Sequence, residues 1–326
     1  VAVVLFLSRA TLGAEVKKGI EAFISEWDDR WDIDSLAVWS NASQDRPWLF
    51  ATSKKKHKVL IYNSATGQRL TEFGSRGKKL GEFDRPNGIA VGGNFLFVVE
   101  RNNHRVQVFS LPELIPLTTF GEKDLQYPYG ITLVAQSEAR FTAYVTDNDE
   151  EKGGQVHQYV FEGKSRKPHA RLVRIFGDFE GKGMLKKVES IYVDSDFNQL
   201  LVADEESRDI KVYQLDGKFS GQTIGKGIFQ SEPEGLVLYQ CGRSEGYWIL
   251  TDQNSPAELN LFHIFKRGSF EYLGGFFGEN TSNTDGIALT QVSYSDFAHG
   301  SLFAVNNDGG VNAFSLDSIL PSVCPF

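Results

Sequence analysis

Apolar residues in this chain fall into short alternating runs, and a group of such runs recurs six times. Each group opens with a small residue leading into an apolar strand. The openings are Asp34-Ser35-Leu36-Ala37-Val38, Asn87-Gly88-Ile89-Ala90-Val91, Tyr129-Gly130-Ile131-Thr132-Leu133, Glu189-Ser190-Ile191-Tyr192-Val193, Glu234-Gly235-Leu236-Val237-Leu238 and Asp285-Gly286-Ile287-Ala288-Leu289. A second run follows, as in Leu49-Phe50-Ala51-Thr52 and Leu200-Leu201-Val202-Ala203. A third ends in an aromatic, as in Val106-Gln107-Val108-Phe109 and Ile210-Lys211-Val212-Tyr213. Five groups close on an apolar residue before glycine, at Phe73-Gly74, Phe120-Gly121, Phe176-Gly177, Ile224-Gly225 and Phe277-Gly278. Period-two alternation with β-branched and aromatic residues predicts strands throughout.

Four strands in a unit of roughly 40–50 residues mark a β-propeller blade. The sixth unit lacks its fourth strand, and Ala22-Phe23-Ile24-Ser25 near the N-terminus can supply it. The expectation is an all-β, six-bladed β-propeller with four antiparallel strands per blade, closed by an N-terminal strand that completes the last blade. A linear stack of repeats does not explain why the strand missing at one terminus is present at the other. The propeller is expected over residues 15–320 as one domain, with 321–326 as a C-terminal tail.

Antiparallel pairing puts the start of each first strand and the end of each second strand on the same face. Asp34, Glu189, Glu234 and Asp285 should therefore meet at one mouth of the central channel. Four carboxylates there repel unless cations or protons intervene. The ends of the second strands add Ser53-Lys54-Lys55-Lys56, Glu100-Arg101, Asp147-Asn148-Asp149, Asp204-Glu205-Glu206, Asp252-Gln253-Asn254 and Asn306-Asn307-Asp308. Oxygen-only ligands favour a hard cation such as Ca²⁺, while lysine and arginine beside it suit phosphate. The competing reading is a set of polar turns on a solvated face.

Composition narrows the classes. A net charge of −8 over 326 residues argues against a general nucleic-acid binder. No apolar run approaches the roughly 18 residues of a membrane span. Residues 1–14, with the run Val1-Ala2-Val3-Val4-Leu5-Phe6-Leu7 and Ala14 at a cleavage-like position, read as the remnant of a secretory signal. The protein is expected to be secreted, extracellular or periplasmic. Cys241 and Cys324 are the two cysteines, and they either pair in an oxidising compartment or remain as buried thiols. Asn41-Ala42-Ser43 and Asn280-Thr281-Ser282 match the glycosylation pattern. No HExxH, Cys/His cluster, nucleophile elbow or phosphate loop is present, and His157 and His263 read as surface or packing residues.

Several motifs together resemble the β-propeller phytase family, secreted calcium-dependent phosphatases of inositol polyphosphates. They are Asp34-Ser35-Leu36-Ala37-Val38-Trp39, the lysines of Ser53 to Tyr62, Tyr129-Gly130, Glu189-Ser190, Ala203-Asp204-Glu205, Glu234-Gly235-Leu236, Gln253 and Thr284-Asp285-Gly286-Ile287. The resemblance implies a phosphomonoesterase acting on phytate or a related phosphorylated small molecule. It assigns Asp34, Glu189, Asp204, Glu205, Glu234, Asp285 and Asp308 to Ca²⁺, and Lys55, Lys56, Arg101 and Gln253 to substrate. Glu189, Glu234 and Tyr129 are the implied catalytic residues. The chain departs from that family at Ser35, at Asn87-Gly88-Ile89-Ala90-Val91 and at Asn148, losing acids, an arginine and a lysine. Its second unit, from Gly81-Glu82-Phe83 to Phe109, looks more like an NHL repeat, a propeller module used mostly for binding. The alternative is thus a non-catalytic propeller that binds a protein or phosphorylated ligand, with calcium structural. A lactonase-like or sugar-oxidising propeller is a third class, without its expected ligand set or axial histidine.

Overall fold

The computed structural model describes residues 14–40, 46–149, 153–164, 167–253 and 260–324. Residues 1–13 of the expected secretory segment, the triplet at Asn41 and Asn254 lie outside them. The described residues form six sheets in a ring, a six-bladed β-propeller. Blade one comprises Ile33–Trp39, Trp48–Ser53, Lys58–Asn63 and Arg69–Phe73. Blade two comprises Pro86–Gly92, Phe95–Glu100, Arg105–Ser110 and Pro116–Phe120. Blades three and four begin with Pro128–Ser137 and Val188–Asp194 and end with His169–Phe176 and Phe219–Ile224. Blade five runs from Glu232–Cys241 to Tyr272–Phe277. Blade six consists of Ile287–Thr290, Ser301–Asn306, Gly310–Ser315 and, from the other end of the chain, Glu21–Ile24.

That closing strand pairs antiparallel, with Phe23 opposite Ala313 and Ile24 opposite Asn312. Just before it, Val16–Lys18 lies parallel to Tyr272–Phe277 as a fifth strand of blade five. Its short, half-charged sequence carries no alternation signal, and the sequence pattern did not reveal it. At the other end, the short helix Leu316–Ile319 leads to a disulfide between Cys324 and Cys241.

The core lies between neighbouring blades. Trp39, Phe50 and Val59 of blade one pack on Phe83, Ile89, Leu96 and Phe109 at blade two. Phe97 of blade two meets Phe141 and Phe161 of blade three edge-on, at 6.0 and 5.1 Å. Aromatic pairs of this geometry add about 0.5–1.5 kcal/mol to their area burial. Every blade therefore depends on both neighbours.

Two devices aim the mouth. In blades one to five the pairing of the first two strands shifts register just after the first strand begins, as between Ile33 and Leu36 or Val188 and Ile191. Such irregularities re-aim side chains out of the ladder. They free Asp34, Asn87, Tyr129, Glu189 and Glu234 to turn toward the axis. Second, a buried threonine stitches adjacent blades. Thr52 Oγ1 accepts from Ser35 N at 3.0 Å and donates to Asn87 O at 2.6 Å. Thr146 Oγ1 likewise accepts from Gly130 N and donates to Glu189 O, both at 2.7 Å. Below the mouth, the inner strands of all six blades wall a channel of about 580 Å³.

Candidate functional site: the acidic mouth

The structure brings Asp34, Tyr129, Glu189, Glu205, Glu234, Gln253 and Asp285 together at one end of the channel, in two halves. In the first half Asp34, 1% exposed, is the hub. Its Oδ1 accepts from the Tyr129 hydroxyl at 2.7 Å and faces Lys54 Nζ at 2.9 Å, and its Oδ2 accepts from Ser35 Oγ at 2.9 Å. The same Lys54 ammonium lies 3.4 Å from Asp285 Oδ2 and 3.5 Å from Asp32 Oδ1. Gln253 Nε2 donates to Asp285 Oδ1. Burial opposes the charge of Lys54, but Asp34, Asp285 and Asp32 outweigh it and raise its pKa.

In the second half Glu189, Glu205 and Glu234 are all buried, and one oxygen from each lies within 4.8 Å of the others. This is the one such group of three or more potential ligands among the described residues. Lys187, half exposed, pairs with Glu205 Oε2 and stands 3.9 Å from Glu189 Oε1. Glu205 Oε1 is buried without a hydrogen-bond partner. Burial, then repulsion from Glu205 and Asp34, holds Glu189 well above the usual carboxylate range. Burial and repulsion from Glu189, Glu205 and Asp285 do the same for Glu234. Asp285 is raised by burial and by Asp34 and Asp308, against the pull of Lys54. Tyr129 is pushed far up by burial and the surrounding acids, so its hydroxyl keeps its proton.

Beside the second half a cleft of about 500 Å³ opens between blades two, three and four. Arg85, Arg101, Tyr127, Lys186 and Lys187 form its wall, and Tyr129 and Glu189 face it from the mouth. The Arg101 guanidinium sits 5.6 Å over the Tyr127 ring. Arg85 Nε is buried without a hydrogen-bond partner. The rim thus offers guanidinium donors next to a carboxylate trio, an arrangement that can hold an anion through a shared cation.

Other expected site residues are placed differently. Asp204 is fully buried and its carboxylate accepts from the amides of Lys186 and Ser207, at 3.0 and 3.1 Å, so its oxygens anchor a loop. Asp308 stands behind Asp285, accepts from Asn283 Nδ2 at 3.4 Å, and is raised by burial. Lys55 and Lys56 are exposed, and Lys55 stands 3.9 Å from Asp32 Oδ2. The lysine that enters the mouth is Lys54. Asn148 exchanges two hydrogen bonds with the Val188 backbone, at 2.8 and 2.9 Å.

His157 and His263 are core residues. His157 Nε2 lies 3.4 Å from Asp147 Oδ2 and His263 Nε2 lies 3.2 Å from Asp252 Oδ2. Gln107 meets Glu100 in the same way, at 3.1 Å. A polar residue in the third strand, two positions beyond the residue paired with the acid near the end of the second, was a readable signal. Those acids in turn hold the loop before the first strand, as Asp147 does by accepting from Tyr127 N at 2.7 Å.

The NHL repeat family model matches residues 83–109, which take in the first three strands of blade two. There Glu100 accepts from Asp84 N, Arg105 Nε and Gln107 Nε2, and Asn103 joins it, so the repeat's polar positions form one internal network. No curated protein matches the sequence. Among solved structures, a chain in the crystal structure of the nidogen/laminin complex is similar with a TM-score of 0.55 at 14% identity, over 78% of this chain and 84% of that one. A chain of Kuenenia stuttgartiensis hydrazine synthase is similar with a TM-score of 0.52 at 15% identity, over 91% and 77%. At these identities the likeness is one of fold.

Proposed function

We propose that this protein is a binding propeller that seats an anionic group of a partner protein in the cleft lined by Arg85, Arg101 and Lys186. A divalent cation held by Glu189, Glu205 and Glu234 completes the seat. The observation that carries this reading is the Glu205 carboxylate, buried with one oxygen lacking a donor against Glu234 and Glu189, the last of which lines a cationic cleft. A set of three carboxylates fits Ca²⁺, which takes oxygen ligands in flexible geometry. The NHL match in blade two supports a binding role. The fold shared with a chain of a nidogen/laminin complex supports a protein as the partner. An extracellular or periplasmic setting belongs to this reading, and the Cys241–Cys324 disulfide supports it.

Calorimetry with Ca²⁺, and then with inositol hexakisphosphate as an anionic probe, tests the seat. The expected result is Ca²⁺ binding that Glu205→Gln weakens, and probe binding that needs Ca²⁺ and weakens in Arg101→Ala. A protein that binds neither removes the proposal.

A second reading is turnover by a phytase-like phosphomonoesterase, favoured by Tyr129 and Glu189 of the carboxylate trio lining the same cleft. When bound, the calcium would supply positive charge to the phosphoryl group. Arg85 and Arg101 would hold the ester, and Tyr129 would keep Asp34 oriented. Phosphate release from phytate that requires Ca²⁺ and disappears in Glu189→Gln would replace the binding reading with this one.

A further inference from the structure

The two halves of the mouth carry similar acids but differ in how their oxygens are used. Asp34 has both oxygens committed, to Tyr129, Ser35 and Lys54. Asp285 has both committed as well, to Gln253 and Lys54. The Lys54 ammonium lies at 2.9, 3.4 and 3.5 Å from three separate carboxylates, with its side chain 11% exposed. It is placed as a bound ion would be, on a tether. In the other half, Lys187 approaches Glu205 and Glu189 from solvent with its side chain 52% exposed. Two of the three carboxylates there share that partner, and Glu205 Oε1 has no donor.

We infer that Lys54 is a built-in counter-ion filling one of two cation positions in the mouth, so that the protein takes one divalent cation rather than a cluster. That cation belongs to Glu189, Glu205 and Glu234, and the inference rests on the proposed cation seat. The Lys54 ammonium already neutralises these acids, so a second divalent cation there would have to expel it and leave three acids facing one another. Lys54 thus sets the metal count, and Asp34 and Asp285 hold the lysine instead of calcium.

Equilibrium dialysis with radioactive Ca²⁺ at saturation counts the ions directly. One ion per wild-type chain is expected, with at least a tenfold loss of affinity in Glu205→Gln. Lys54→Met should bind two, and Lys54→Arg one. A wild-type count of two or more overturns the role of Lys54 while leaving the cation seat in place. A count of zero overturns the seat itself and the inference with it. A Lys54→Met protein that still binds one ion overturns the inference. Should Lys54→Met melt too low for dialysis, its Tm in millimolar Ca²⁺ is read instead. A larger calcium-induced rise than in wild type supports a second ion, and an equal rise overturns it.

Discussion

The Tyr129 hydroxyl donates to Asp34 Oδ1 at 2.7 Å, so blade three is hydrogen-bonded to blade one across the top of the channel. Asp34 is 1% exposed, and such donors offset the cost of burying its carboxylate. Tyr129→Phe removes this one and leaves Lys54 and Ser35. The expected cost is about 1–3 kcal/mol, because a buried acceptor loses one of its two partners. Urea unfolding of the variant measures it, and an unchanged midpoint would show that the contact contributes nothing.

Stability without metal should depend on pH in an unusual direction. Glu189, Glu234 and Asp285 have folded pKa values raised well above those of the unfolded chain. Between the two values the folded state binds more protons, so this contribution falls as pH rises. It is fully present below the unfolded carboxylate range and is lost as pH rises through the raised folded values. In chelator, the Tm of wild type should therefore drop from pH 5 to pH 7.5 more steeply than that of Glu234→Gln. Saturating Ca²⁺ should abolish the difference by stabilising the ionised trio. Parallel melting curves for the two proteins in chelator would contradict the account.

Gly130 is required by close approach. A Cβ there would stand 2.2 Å from Glu189 O and 3.3 Å from Ser190 Cα, both backbone atoms with no freedom to turn aside. Gly130→Ala should cost about 1–3 kcal/mol by overpacking and loosen the Thr146–Glu189 stitch. Ser190, at the equivalent position in the next blade, already has a Cβ, so Ser190→Ala should stay within about 0.5 kcal/mol. Chemical denaturation of both variants separates them, and equal losses would refute the packing argument.

Removing the disulfide should weaken the ring without dissolving the fold. Cys241 and Cys324 are 83 residues apart in sequence. Chain entropy over a loop of that length gives roughly 4–5 kcal/mol. The double variant Cys241→Ser/Cys324→Ser should keep its β-sheet circular dichroism and lose midpoint in urea. A midpoint equal to wild type would mean that the tail adds no constraint.

The blades were legible in the sequence because period-two alternation and the small residue at each opening record burial directly. The strand from the opposite terminus, around Phe23, was legible for the same reason. Lys54 was not distinguishable from Lys55 and Lys56 in a run of three lysines, since only backbone geometry decides which one turns inward. Asp204 and Glu205 are neighbours of the same charge. One anchors amides and the other joins the carboxylate trio, a difference of orientation that residue type does not carry. His157 and His263 were read one at a time, when their shared position within the repeat placed both in the core.

The strand Glu21–Ile24 finds its partner only when Gly310–Ser315 has been made. On a ribosome this strand must wait, unpaired, while blades one to five are synthesised. Blades one to five have their own four strands before that moment, but the ring closes only with this last pairing, a long-range contact of the kind that forms late.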